Sequence, residues 1–252
     1  MSEENGYRQW ISPRARAVFL LVHGIGAHTG RWEALADFFI KNDISSYAIE
    51  CPNPEDYNDG IFSLREIIVK NNPGKKIFLI GESLGGLISF TLVVRRSGLF
   101  DGLVCFSPAF GSRLKMSMLN YLKISASLLY NPGKEFKLPF DSSMCTRDEE
   151  YRKKMDSDER EHRLASSHSI VKILFMQMAS WILAKKLKDP VFFLVAGDDK
   201  IVDSRVSVGI FKRLTAKDKT LIEYPGMYHA LSIDLGKEKV FEDLLKWTEK
   251  RI

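Results

Sequence analysis

The chain has 252 residues, 37 Lys and Arg against 32 Asp and Glu, and a net charge of +5. That length holds one large or two small domains with a sizeable core. Hydrophobic residues at 45% and charged residues at 27% exclude a disordered or collagenous chain. The basic residues are scattered among acids, which reads as a solvated surface and not as a nucleic-acid stripe, so no nucleic-acid partner is expected. No uncharged apolar run reaches membrane-spanning length. The start, Met1 to Gly6, lacks the basic-then-apolar layout of a signal peptide. Cys51, Cys105 and Cys145 are an odd set without metal spacing, which reads as free thiols in a reducing cytoplasm. With no metal spacing and no dinucleotide fingerprint, no metal and no cofactor are expected.

In chain order, Tyr7 to Ile11 reads as an edge strand and Ala17 to Val22 as a fully buried one. Trp32 to Asn42 reads as a helix and Ser45 to Cys51 as a strand. Ile61 to Asn71 reads as a helix started by Asp59. Lys76 to Ile80 is a strand, followed by a helix after Ser83, and Leu103 to Phe106 is the next strand. Val191 to Ala196 and Thr220 to Tyr224 complete the set, each followed by a helix. Continuous apolar strands alternating with helices predict an α/β fold, a mostly parallel sheet with helices on both faces. The alternation breaks between Gly111 and Asp189. Helical stretches at Met116 to Tyr130 and His168 to Lys186 flank a charge-rich piece, Cys145 to Arg163, without a strand candidate. This reads as a mostly helical insertion. The expected division is a core of residues 1–111 and 189–252 with an inserted segment at 112–188.

The most informative stretch is Gly81-Glu82-Ser83-Leu84-Gly85-Gly86, between the strand at Lys76 to Ile80 and the apolar helix from Leu87 to Val94. A serine on a sharp strand-to-helix turn projects its hydroxyl from the sheet edge, and flanking glycines let the two elements pack closely. The helix N-terminus adds free N–H groups and partial positive charge. The pattern alone is common; its setting favours a nucleophile over a structural glycine turn. A serine hydroxyl needs a base, and the base an orienting acid, here in the order Ser, acid, His. His229, after the last strand, fits the base. His23 and His28 precede the serine, and His162 and His168 lie in the insertion, where a solvated helix face is the plainer account. The acid should follow Val191 to Ala196, where Asp198, Asp199 and Asp203 stand. Spacing does not choose between Asp198 and Asp199; Asp203 suits a helix cap. For an oxyanion hole, the Leu84 N–H and the Ile25 N–H in His23-Gly24-Ile25-Gly26 are the candidates.

The residues His23-Gly24-Ile25-Gly26-Ala27-His28-Thr29-Gly30-Arg31-Trp32, Gly81 to Gly86, Asp199-Lys200-Ile201-Val202-Asp203 and Tyr228-His229-Ala230-Leu231 carry a resemblance over nearly the whole chain. The chain resembles the α/β-hydrolase superfamily, and within it the monoglyceride lipases and their lysophospholipase-like relatives. The resemblance implies Ser83 as nucleophile, Asp199 as acid, His229 as base, Ile25 and Leu84 as oxyanion donors, and the insertion as a cap over an acyl pocket. Two stretches depart from the family pattern. Glu82 stands where the family usually has His, and Glu50 to Tyr57 replaces an Asp-x-x-Gly-x-Gly-x-Ser segment.

The segment Ile170 to Leu183 is apolar nearly all round, so it is either the cap's own core or a wall for an acyl chain. Phe175, Met176, Met178 and Trp181 are its largest members and stand as candidate substrate contacts. The expected activity is hydrolysis of a lipid monoester such as a monoacylglycerol through an acyl-enzyme. The alternatives are a general carboxylesterase or lysophospholipase and, from a different class, a non-catalytic ligand-binding protein. The expected partner is a small-molecule lipid ester, with transient membrane-surface contact through the cap; the oligomeric state is left open.

Overall fold

The computed structural model describes residues 6–51 and 56–252; the reading of the N-terminal start and part of the Glu50 to Tyr57 departure lie outside the described residues. Strands β1 (Tyr7–Trp10), β2 (Ala17–Val22), β3 (Ile44–Ile49), β4 (Lys76–Glu82) and β5 (Gly102–Phe106) form one sheet with two later strands, β8 (Val191–Ala196) and β9 (Lys219–Tyr224). Its order is β1-β3-β2-β4-β5-β8-β9. Only β1 is antiparallel, pairing Tyr7 with Ile49 at the edge. Every other pairing is parallel.

Parallel strands must be covered on both faces, and the period of two along β2 shows how. Val18, Leu20 and Val22 enter one core with α2 (Tyr57–Asn71), α3 (Leu84–Arg95) and α8 (Ser204–Arg213). Ala17, Phe19 and Leu21 enter the other with α1 (Glu33–Ile40) and α9 (Lys237–Glu249). The chain leaves β3 and returns on the other side of β2 as β4, so the loops after β2 and β4 meet at a switch in strand order, where open α/β sheets bind ligands.

Between β5 and β8 lie α4 (Met118–Tyr130), α5 (Ser142–Cys145), α6 (Glu149–Ser157) and α7 (Ser167–Leu183). A small antiparallel pair, β6 (Glu135–Lys137) with β7 (Leu164–Ser166), joins them. The insertion is mostly helical, as expected, though this pair is too short for periodicity to reveal. Helix α7 with its following turn, Ser167–Lys186, is long and apolar enough to cross a membrane by length and composition, and 22% of it is buried.

Two helix starts differ from expectation. Helix α2 begins at Tyr57, with Asp56 at its N-cap; Asp59 falls in the first turn, where a carboxylate still complements the helix dipole. Trp32 ends a 3-10 turn, Thr29–Trp32, capped by the His28 side chain, and α1 starts at Glu33.

Candidate active site

Ser83 lies between β4 and α3 with φ 56° and ψ −119°, a conformation L-residues rarely hold. The surrounding backbone enforces it. The Ser83 N–H donates to Phe106 O at 2.9 Å, and Ser83 O accepts from Ala109 N at 3.0 Å. A Cβ at Gly85 would sit 2.3 Å from Val22 O, so only glycine lets α3 start this close to β2. A Cβ at Gly24 would come 3.0 Å from the Ser83 Cβ, so the loop after β2 presses directly on the serine.

His229 lies in the loop after β9. Its Nδ1 is 2.8 Å from Asp199 Oδ2, and both side chains are buried. The other Asp199 oxygen accepts the N–H groups of Ile201 and Val202 at 2.8 and 2.7 Å. Asp198 is exposed, and Asp203 caps α8 through Arg205 N. Burial thus separates two neighbouring aspartates that spacing could not. Burial is also the largest single influence on His229 and disfavours its imidazolium. Asp199 and then Glu82 outweigh it and hold the pKa above the ordinary histidine value. Among the described residues no hydrogen bond joins Ser83 to His229; such contacts tighten when substrate binds.

Ser83, Leu84, Ile25 and His229 line one cavity of about 180 Å³. Leu84 opens α3, whose first-turn N–H groups have no intrahelical acceptor. The loop carrying Ile25 is braced by His23. Cys51 N donates to His23 Nε2 at 3.3 Å, which leaves the proton on Nδ1 to donate to Gly24 O at 2.8 Å. Tyr57 Oη adds a contact to Gly24 O.

From α7 the cavity takes Ile170, Ile173, Leu174 and Gln177. None of the four side chains singled out on this helix lines it. Phe175 and Met176 face a separate groove on the other side of α7. Met178 is exposed, and Trp181 lies under Arg213 against Gly209. A helix apolar all round does not reveal its inward face; packing on α3 decides it.

Four polar groups gain a place here that their sequence positions did not reveal. Glu82, 5% exposed, accepts Ser232 N at 3.1 Å and Ser232 Oγ at 3.0 Å, tying the His229 loop to the residue before Ser83. Burial pushes the Glu82 pKa up, and His229 opposes that rise. Asp234 accepts Tyr228 N, Arg147 N and Thr146 Oγ1, so the same loop is pinned to the cap. Arg31 forms a buried fork with Glu161, Nε to Oε1 at 2.5 Å and Nη2 to Oε2 at 2.7 Å. This joins the loop after β2 to the insertion, and His28 Nε2 faces Asp158 at 3.2 Å alongside. The advance signals were the unusual Glu82 within the elbow and the place of His28 and Arg31 in the motif after β2.

Residues 13–236 match the model of the serine aminopeptidase S33 family (Hydrolase_4). The chain is 26% identical to monoglyceride lipase of Homo sapiens, over 94% of this chain and 83% of that protein. It is 23% identical to phospholipase YtpA of Bacillus subtilis, over 96% and 99%. The solved monoacylglycerol lipase of Paleococcus ferrophilus superposes with a TM-score of 0.88 at 25% identity, over 98% of each chain.

Proposed function

Because the chain belongs to the serine aminopeptidase S33 family and has the α/β-hydrolase fold, we propose that it cleaves monoacylglycerols with Ser83 as nucleophile, His229 as general base and Asp199 as the acid that orients it. The chain is a serine ester hydrolase. His229 Nε2 takes the Ser83 proton as Oγ attacks the acyl carbon. The Leu84 and Ile25 N–H groups hold the oxyanion, and Asp199 stabilises the imidazolium. The imidazolium gives its proton to the leaving alkoxide. Water, deprotonated by His229, then attacks the acyl-enzyme; the acyl–Oγ bond breaks, His229 returns that proton to Ser83 Oγ, and the fatty acid is released.

The single observation that carries this reading is the buried His229–Asp199 pair at 2.8 Å, whose His229 lines one cavity with a backbone-strained Ser83 and apolar walls from Ile173 and Leu174. The lipid monoester comes from the relatives' names, the monoglyceride lipase of Homo sapiens and the monoacylglycerol lipase of Paleococcus ferrophilus. A lysophospholipid is the second reading, favoured by the near-full-length likeness to phospholipase YtpA. Rates on monooleoylglycerol, lysophosphatidylcholine and p-nitrophenyl acetate decide between them. The proposal expects monooleoylglycerol to have the highest kcat/KM. Lysophosphatidylcholine ahead of it would establish the second reading, and no turnover on any ester would refute both.

For the cap we propose the bounds 112–188 and a transient contact with the lipid surface. Met118, Leu119, Leu122 and Leu129 on α4 and Phe175, Met178 and Ile182 on α7 are exposed, a larger apolar surface than a solvated helix pair ordinarily carries. Cys51, Cys105 and Cys145 are all free and buried, which supports a reducing, cytoplasmic setting.

A further inference from the structure

A second groove lies on the opposite side of α7 from the Ser83 cavity, between α7, α2 and α3. Its volume is about 830 Å³. Phe62, Leu92, Val171 and Phe175 supply apolar surface, and Arg95, Arg96, Lys172 and His168 are the ionisable groups that line it among the described residues. Among the described residues, none that lines it is acidic. Among the described residues, Arg95, Arg96 and Lys172 make no ion pair. Arg205 and Arg160, by contrast, are each neutralised within two residues, by Asp203 and Asp158. Cations left unpaired around an apolar floor are complementary to one ligand shape: a negative head on a single apolar tail.

The groove and the catalytic cavity share walls with a small pocket of about 20 Å³ between α3 and α7. Leu84 and Ile173 line both this pocket and the Ser83 cavity. Ile88, Lys172 and Met176 line both this pocket and the groove. Lys172 therefore stands between the small pocket and the basic rim.

We propose that this groove is a second lipid site that binds a free long-chain carboxylate, its head among Arg95, Arg96 and Lys172 and its tail along Phe62, Leu92, Val171 and Phe175. The identity of the ligand rests on the proposed ester hydrolysis, which releases such a carboxylate a few side chains away.

Titration calorimetry with laurate below its micelle concentration tests it, on the wild-type chain and on Arg95→Glu/Arg96→Glu. The wild type is expected to bind laurate at the groove, and the variant to bind there about tenfold or more weakly. Dodecanol, the uncharged control, is expected to bind both proteins alike. Hydrolysis of p-nitrophenyl acetate is expected to stay unchanged in the variant. If charge reversal prevents folding, Arg95→Gln/Arg96→Gln carries the same test. Equal laurate affinity in wild type and folded variant would overturn the proposal. So would an equal loss of laurate and dodecanol. Loss of binding to phosphatidylglycerol vesicles with laurate binding untouched would assign the rim to a membrane surface and overturn it too. Rim-dependent laurate binding by a protein that hydrolyses no long-chain ester would uphold the site while refuting the proposed activity.

Discussion

The loop that carries His229 and the helix that roofs the cavity are built by opposite rules. The His229 loop is held by specific polar bonds: to Asp199, through Ser232 to Glu82, and through Asp234 to the cap. Helix α7 packs on α3 with side chains that are apolar nearly all round, several of them exposed. A site that moves protons needs fixed angles, and directional bonds to buried charges supply them. A wall for a flexible chain needs only apolar area, so its residues are interchangeable as long as the right face is inward.

That contrast orders the expected effects. On the polar side, Asp199→Asn should lower kcat by about 10⁴-fold through the wrong imidazole tautomer. Exposed Asp198→Asn should change it by less than about threefold. Steady-state kinetics on p-nitrophenyl acetate measures both, and comparable losses would end the distinction between the two aspartates.

The junction of body and cap comes next. Removing one partner of the buried Arg31–Glu161 fork leaves an uncompensated charge, so Glu161→Gln should cost about 3–5 kcal/mol of stability in urea unfolding. A cost below about 1 kcal/mol would mean that the cap is not locked there.

Smaller, and more telling, is Glu82→Gln. The variant loses charge-assisted bonds to Ser232, each worth about 1.5–3 kcal/mol, so kcat/KM should fall about tenfold or more. The pH profile has a definite sign. His229 must be neutral to act as base, so activity falls as pH drops through its pKa, which is held above 6.5. Glu82 helps to raise that pKa by stabilising the imidazolium. Without its charge the pKa falls, and the acid limb moves to lower pH. An acid limb that stays in place in the variant would leave Glu82 as a structural tie alone.

The smallest effects belong to the wall. Ile173→Ala should lower kcat/KM on a dodecanoyl ester by about tenfold and on an acetyl ester by less than about twofold, since each buried methylene is worth about 0.8 kcal/mol. Phe175→Ala, facing the outer groove, should spare both. Chain-length dependence that follows Phe175 instead would invert the helix.

The same contrast decides how much could be read from the chain alone. The sheet, its helices and the inserted segment were legible because apolar runs of strand length and glycine-marked turns are local properties. So were Ser83, Asp199 and His229 as candidates, each placed just past a strand end. Spacing left Asp198 and Asp199 level; the resemblance preferred Asp199, and burial with the His229 bond gives the physical reason. Glu82 looked odd, but its partner Ser232 comes from a distant loop. Arg31 and Glu161 likewise meet only after the cap folds over the body. The inward face of α7 was illegible for a different reason: in a helix apolar nearly all round, its few polar residues, Lys172 and Gln177 among them, do not mark one outward face.

The central claim is that Ser83 is the nucleophile, and one measurement tests it most directly. The protein is treated with a fluorophosphonate, digested, and the modified peptide identified by mass spectrometry. The account predicts one adduct, on Ser83, absent in Ser83→Ala and slowed by acidification below the pKa of His229. An adduct on another serine, or labelling that persists in Ser83→Ala, would contradict it.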